Sequence, residues 1–289
     1  MVYYFDKCTT TRCGCERHTY ELCKLYKLQC APFRGRHCRK GCFMWIFRLA
    51  LTAIVLVLVL LIGVIEHVIT LVVGKFNPPK ALQMRSGYIR VGFKLVWLVA
   101  AGKTRVIGLE KIPTDRAVLF VGNHRSMLDV VICGSLIPFP VGFISKIELE
   151  KIPLLRMQMR DINCLFFDRK DDRKALKVIL KAIELVKGGQ SMFIFPEGTR
   201  SKEEGKFLPF HAGSFKIATK AKAPIVPVTI VGTGDILEDH FPKIKAAPVV
   251  VEFGDPIETA SMSRDEQKEL PDRVRNLIME TYERNKKLL

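Results

Sequence analysis

The sequence predicts an α/β fold: a mostly parallel sheet flanked by helices, preceded by an N-terminal membrane-anchoring helical segment. Three observations carry the prediction. From Val106 onward, short apolar runs alternate with stretches of helical periodicity, the pattern of repeated βα units. A single greasy segment, Leu49 to Val73, stands apart from that alternation. Directly after it come seven basic residues (Lys75, Lys80, Arg85, Arg90, Lys94, Lys103 and Arg105) with no acid among them. At 289 residues the chain accommodates one sizeable α/β domain with an appendage.

The first 43 residues form a Cys-rich basic extension. Cys8, Cys13, Cys15, Cys23, Cys30, Cys38 and Cys42 lie there, seven of the nine cysteines, with His18 and His37 between them. The spacings do not pair into two C-x-x-C hooks, so the zinc pattern is weak. A disulfide framework would need an oxidising compartment. A further reading is that the extension is never translated, since the sequence restarts sensibly at Met44 and runs straight into the apolar segment.

Residues 44–105 are expected to anchor the chain. Leu49–Ile65 carries no charge, and only Glu66 and His67 interrupt the last third of the segment. Roughly 20 apolar residues cross a bilayer, so the segment is long enough to span with tilt or to enter and turn back. A buried core helix fits its length and uniformity less well. A signal peptide fits poorly too, because no small-residue cleavage site follows. A second apolar stretch, Leu95–Ala101, is expected to rest at the interface. The net charge of +17 calls for an anionic partner. Because much of the basic excess lies beside the apolar segment, that partner is an anionic membrane surface and not nucleic acid. For a chain starting at Met44, positive-inside bias places the downstream domain in the cytoplasm; with the extension kept, both flanks are basic and the rule loses force.

In the domain of residues 106–289, strands are expected at Ala117–Val121, Val141–Ser145, Cys164–Phe167, Ser191–Phe195, Ile225–Val231 and Val249–Phe253. Helices are expected near Met127–Ile137, over Asp171–Lys187 and over Pro271–Lys286. Functional groups in such folds gather in the loops beyond the strand ends. His124 and Asp129 follow the first strand. On one continuous helix their side chains would point about 140° apart, so they meet only if His124 lies in the loop and Asp129 in the first helical turn. Ser126 and Asp129 also fit a capping box, which explains the acid without catalysis. A second strand ends in Phe195-Pro196-Glu197-Gly198-Thr199-Arg200, where an arginine, a small glycine and a hydroxyl suit a phosphate monoester and a plain turn alike. Phe166-Phe167-Asp168-Arg169 offers another arginine or a surface ion pair, and Val226-Pro227-Val228 reads as strand only.

Together the four blocks, in this order and after a membrane anchor, resemble the glycerolipid acyltransferase family, in particular its 1-acylglycerol-3-phosphate members. N-H-x-x-x-x-D is matched by Asn123, His124 and Asp129. The arginine closing a hydrophobic strand is matched by Phe167 and Arg169, F-P-E-G-T-R by Phe195 to Arg200, and the V-P-V strand by Val226 to Val228. Ser145 to Leu149 with Ile152-Pro153 is similar to the family's linking segment, although Leu154-Leu155-Arg156 stands where the family often has glycine.

The resemblance implies direct acyl transfer to a lysophospholipid hydroxyl from acyl-CoA or acyl carrier protein, without metal or cofactor. It casts His124 as general base and Asp129 as its orienting acid. Asn123, Lys146, Arg169, Glu197, Gly198, Thr199 and Arg200 would form the substrate-binding set. The sequence names no oxyanion donor; a backbone N–H at the helix start near Ser126 is one candidate. The same chemistry on another lysolipid or on glycerol 3-phosphate, a thioester hydrolase and a silent lipid-binding protein are the competing readings.

Overall fold

A computed structural model describes residues 36–100, 102–168 and 171–289. The cysteine, zinc and translation-start readings of the extension rest on residues that lie largely outside these. The chain divides into two units, residues 1–47 and 48–289, and the sheet and site described below belong to the second. Among the described residues no cluster of His, Cys, Asp or Glu is arranged to hold a metal ion.

Among the described residues seven strands form one sheet: β1 (Thr104–Ile107), β2 (Leu119–Gly122), β3 (Val141–Lys146), β4 (Leu165–Phe167), β5 (Ser191–Ile194), β6 (Ile225–Val231) and β7 (Val249–Phe253), in the order β1-β7-β6-β2-β5-β3-β4. Every neighbouring pair is parallel except β6 with β7. Strands β2 and β6 are buried along their whole length, as near-continuous apolar sequences in a two-sided sheet must be. Pro227 sits in β6 without disrupting it, because pairing with β7 begins only at Val228.

The two-residue period of β2 feeds two cores. Val118 and Phe120 face a layer that includes Ile89, Trp97, Ile132 and Phe143; Leu119 and Val121 face Val186, Phe215, Ile217, Leu270 and Ile278. The first layer is built by α2 (Pro78–Ala100) and α3 (Leu128–Leu136), the second by α5 (Asp172–Lys187), α6 (Ala212–Ala221) and α7 (Arg264–Lys286). The second apolar stretch is two-sided, with Leu95 and Leu98 exposed. Val96, Trp97 and Ala100 are buried on its other side, Trp97 and Ala100 in the core layer under the sheet, and the Trp97 indole N–H donates to Thr104 Oγ1 at 2.8 Å.

The apolar segment is part of α1 (Arg36–Phe76), of which Met44–Phe76 is long and apolar enough to cross a membrane. It is the only such helix among the described residues and a candidate membrane anchor. Ile54, Val57, Leu58, Leu61, Ile62, Ile65, Val68 and Ile69 are exposed along one side. The opposite stripe, Val59, Gly63, His67 and Thr70, packs on α2 and on α4 (Pro153–Asp161). His67 Nδ1 lies 2.8 Å from Asp161 Oδ2, Arg85 donates to Thr70 Oγ1 at 2.9 Å, and Gln158 donates to the carbonyls of Val59 and Leu60. Gly63 admits that amide, since a Cβ there would stand 2.0 Å from Gln158 Nε2. The polar residues that interrupt the apolar segment thus face protein and leave an unbroken apolar side outward.

Candidate active site

The sheet order gathers the sequence blocks. β2 lies between β5 and β6 and is parallel to both, so the segments leaving Gly122, Ile194 and Val231 emerge side by side at one edge. The ends of β3 and β4, with Lys146 and Phe167, lie further along the same edge.

His124 stands in the loop after β2, and Asp129 in the first turn of α3, the arrangement their spacing requires. His124 Nδ1 is 2.9 Å from Asp129 Oδ2. A carboxylate only accepts, so in the neutral imidazole Nδ1 carries the proton and Nε2 keeps its lone pair. The imidazole is 18% exposed and stacks on Phe195 with ring centroids 4.1 Å apart, while Asp129 is fully buried.

Asp129 also receives the backbone N–H groups of Arg125 and Ser126, each at 2.8 Å on Oδ2, and the Thr233 hydroxyl at 2.6 Å on Oδ1. Helix-start satisfaction and imidazole orientation therefore converge on one carboxylate. This sets aside the oxyanion candidate. The Ser126 N–H is committed to Asp129, that of Leu128 to Ser126 Oγ and that of Met127 to Glu238, so the start of α3 offers no free donor.

The other predicted residues divide by placement. Asn123 is buried and bridges β6 with both ends of its amide, donating to the Ile230 carbonyl at 2.8 Å and accepting from its N–H at 2.9 Å. Glu197 is buried too. Its two oxygens accept the backbone N–H groups of His124 and Leu208 at 2.9 and 3.1 Å, tying the two motif loops together. Burial pushes its carboxyl above the usual range, against the lowering effect of those bonds. Gly198 takes the left-handed conformation, φ +67°, which turns the chain to exposed Thr199 and Arg200. Arg200 pairs with Glu238 at 2.9 Å, and Lys146 with Glu148 at 2.9 Å. Arg169 lies outside the described residues.

Thr233 and Glu238 escaped the sequence reading. Gly232, at φ +90°, ends β6 and turns Thr233 over Asp129; a Cβ there would lie 2.5 Å from the Pro248 carbonyl oxygen. A Gly-Thr pair at the exit of a buried parallel strand was the available signal.

Cys133 and Cys164 are buried and poorly suited to act as thiolate nucleophiles. Burial raises the thiols of Cys133 and Cys164, the latter to about 12. N-ethylmaleimide on the folded protein is expected to leave both unmodified and activity intact, read by peptide mass spectrometry. Rapid labelling of either with parallel loss of activity would contradict this.

The family model described as Acyltransferase matches residues 103–231. The chain is 41% identical over 136 residues to a chloroplastic 1-acyl-sn-glycerol-3-phosphate acyltransferase of Brassica napus, 47% of this chain and 39% of that protein. The matched stretch thus spans less than half of the Brassica relative. It is 31% identical over 221 residues to a probable 1-acyl-sn-glycerol-3-phosphate acyltransferase of Mycoplasma genitalium, 72% of this chain and 80% of the relative. The crystal structure of the 1-acyl-sn-glycerophosphate acyltransferase of Thermotoga maritima superposes with a TM-score of 0.68 at 26% identity, covering 83% of this chain and 98% of that one. A mostly parallel sheet carrying a His–Asp pair at the exit of its central strand, matched in this way, is the architecture of an O-acyltransferase. The chain belongs to the 1-acyl-sn-glycerol-3-phosphate acyltransferase family.

Proposed function

We propose that the protein transfers a fatty acyl group from acyl-CoA or acyl carrier protein to the sn-2 hydroxyl of lysophosphatidic acid, forming phosphatidic acid for phospholipid synthesis. The observation that carries the reading is the His124 imidazole, fixed by Asp129 through Nδ1 with Nε2 free. Nε2 takes the proton of the acceptor hydroxyl as that oxygen attacks the thioester carbonyl, and Asp129 stabilises the imidazolium. The tetrahedral intermediate expels the thiolate, which His124 reprotonates. The nucleophile belongs to the substrate, and no metal or cofactor takes part.

Arg200, with Arg169 and Lys146, binds the acceptor's phosphate, and Thr199 and Gly198 shape the loop beside it. Glu197 and Asn123 hold the loops that carry these groups. The apolar side of α1 enters the bilayer, the basic residues after it meet anionic head groups, and the catalytic domain faces the cytoplasm. Acceptor and product are both amphiphiles, so anchoring keeps the site where they reside.

The test is product analysis with membranes bearing the protein, labelled acyl-CoA and acyl carrier protein in turn, and a panel of lysolipids. Phosphatidic acid as the principal product is expected. Acylation of another lysolipid alone would overturn the acceptor, and fatty acid release without lipid product would favour hydrolysis.

A further inference from the structure

The segment following β6 lies outside the four motifs, yet its side chains reach both the loop of His124 and Asp129 and the loop of Arg200. Thr233 donates to Asp129, Asp239 pairs with Arg125, and Glu238 Oε1 receives both the Met127 N–H at 2.8 Å and Arg200 Nη1 at 2.9 Å. Glu238 is 13% exposed against 44% for Arg200, so a largely buried carboxylate holds an exposed guanidinium. The next residue, Ser201, donates its N–H to the His124 carbonyl at 2.8 Å, which sets Arg200 immediately beside the proposed base. Glu238 Oε2 is buried and has no hydrogen-bond partner among the described residues. Arg200 is accordingly the counter-charge that makes this buried carboxylate tolerable, and each group constrains the other.

We propose that Glu238 is a positioning residue for the acceptor. It holds Arg200 by one nitrogen, with the rest of the guanidinium fork turned toward the acceptor's phosphate. An arginine presents five N–H donors in one plane. The Glu238 contact uses a single Nη1 donor, which leaves enough of the fork for a bidentate phosphate contact. An ordinary surface ion pair adds little because both partners must be ordered to form it. Here the carboxylate is already ordered by the Met127 N–H and by burial, so the ordering cost of Arg200 is met before the acceptor arrives.

This rests on the reading that Arg200 binds the acceptor phosphate, and the experiment separates the two. KM for lysophosphatidic acid, KM for the acyl donor and kcat are measured for wild type, Arg200→Ala, Glu238→Ala, Glu238→Gln and the Arg200/Glu238 double alanine variant. Glu238→Ala is expected to raise the acceptor KM about three- to tenfold, the ordering cost of one long side chain, with the donor KM unchanged. Glu238→Gln keeps an acceptor atom and is expected to fall between. In the Arg200→Ala background, removing Glu238 should add nothing further to the acceptor KM, because its effect passes through that arginine. If Arg200→Ala raises the acceptor KM and Glu238→Ala does not, or if the two effects add independently, the positioning role is overturned. If Arg200→Ala leaves the acceptor KM unchanged, the phosphate assignment itself fails and the inference falls with it.

Discussion

Replacing His124 with alanine is expected to lower kcat by about 10²–10⁴-fold, the usual contribution of a positioned general base. The fold should survive. The backbone contacts of this residue, its N–H to Glu197 and its carbonyl from Ser201, are retained by alanine. What is lost is the ring, its stack on Phe195 and the free Nε2. Acyl transfer assays paired with thermal unfolding of the same preparation check both halves. A folded variant with wild-type turnover would remove His124 from the chemistry.

The second large effect is at Asp129, where two substitutions should part company. Asp129→Ala leaves the Arg125 and Ser126 N–H groups and the Thr233 hydroxyl buried without their acceptor. Each such loss costs about 1–3 kcal/mol, so this variant should be poorly folded. Asp129→Asn should fold. Three donors converge on Oδ2, so the amide oxygen takes that place and the NH₂ turns to Thr233, whose hydroxyl can accept. The His124 tautomer is then preserved and only the negative charge is gone. A unit charge pair near 4 Å is worth about 4 kcal/mol at an effective dielectric of 20, so kcat should fall by at most roughly 10³-fold. KM should hold, because the imidazolium exists only along the reaction path. Steady-state kinetics on the folded variant decides it; an unchanged kcat would make Asp129 a helix cap alone.

The sheet was legible where strands are buried on both sides. Ile225–Val231 and Val249–Phe253 occur with the predicted bounds, because continuous apolar runs between turn residues leave little ambiguity. β1 was missed: it is short, carries Arg105, and pairs with β7, a partner remote in sequence. α4 was missed because Gln158 and Asp161, which break its apolar pattern, are buried partners of α1. The last helix is expected over Pro271–Lys286. It begins at Arg264 under a Ser263–Glu266 capping box, and Pro271 lies inside it. In the site, His124 and Asp129 were legible because a loop-to-helix step fixes both. Thr233 and Glu238 were not, because a contact across about a hundred residues leaves no local pattern.

The central claim is direct transfer between two bound substrates. It is tested most directly by mixing the enzyme with a radiolabelled acyl thioester, quenching rapidly with and without lysophosphatidic acid, and following label in lipid, fatty acid and protein. Direct transfer predicts thiol release only with acceptor present, label passing into phosphatidic acid in equal amount, and none on the chain. Label bound covalently to the protein, or thiol release at the same rate without acceptor, would contradict it.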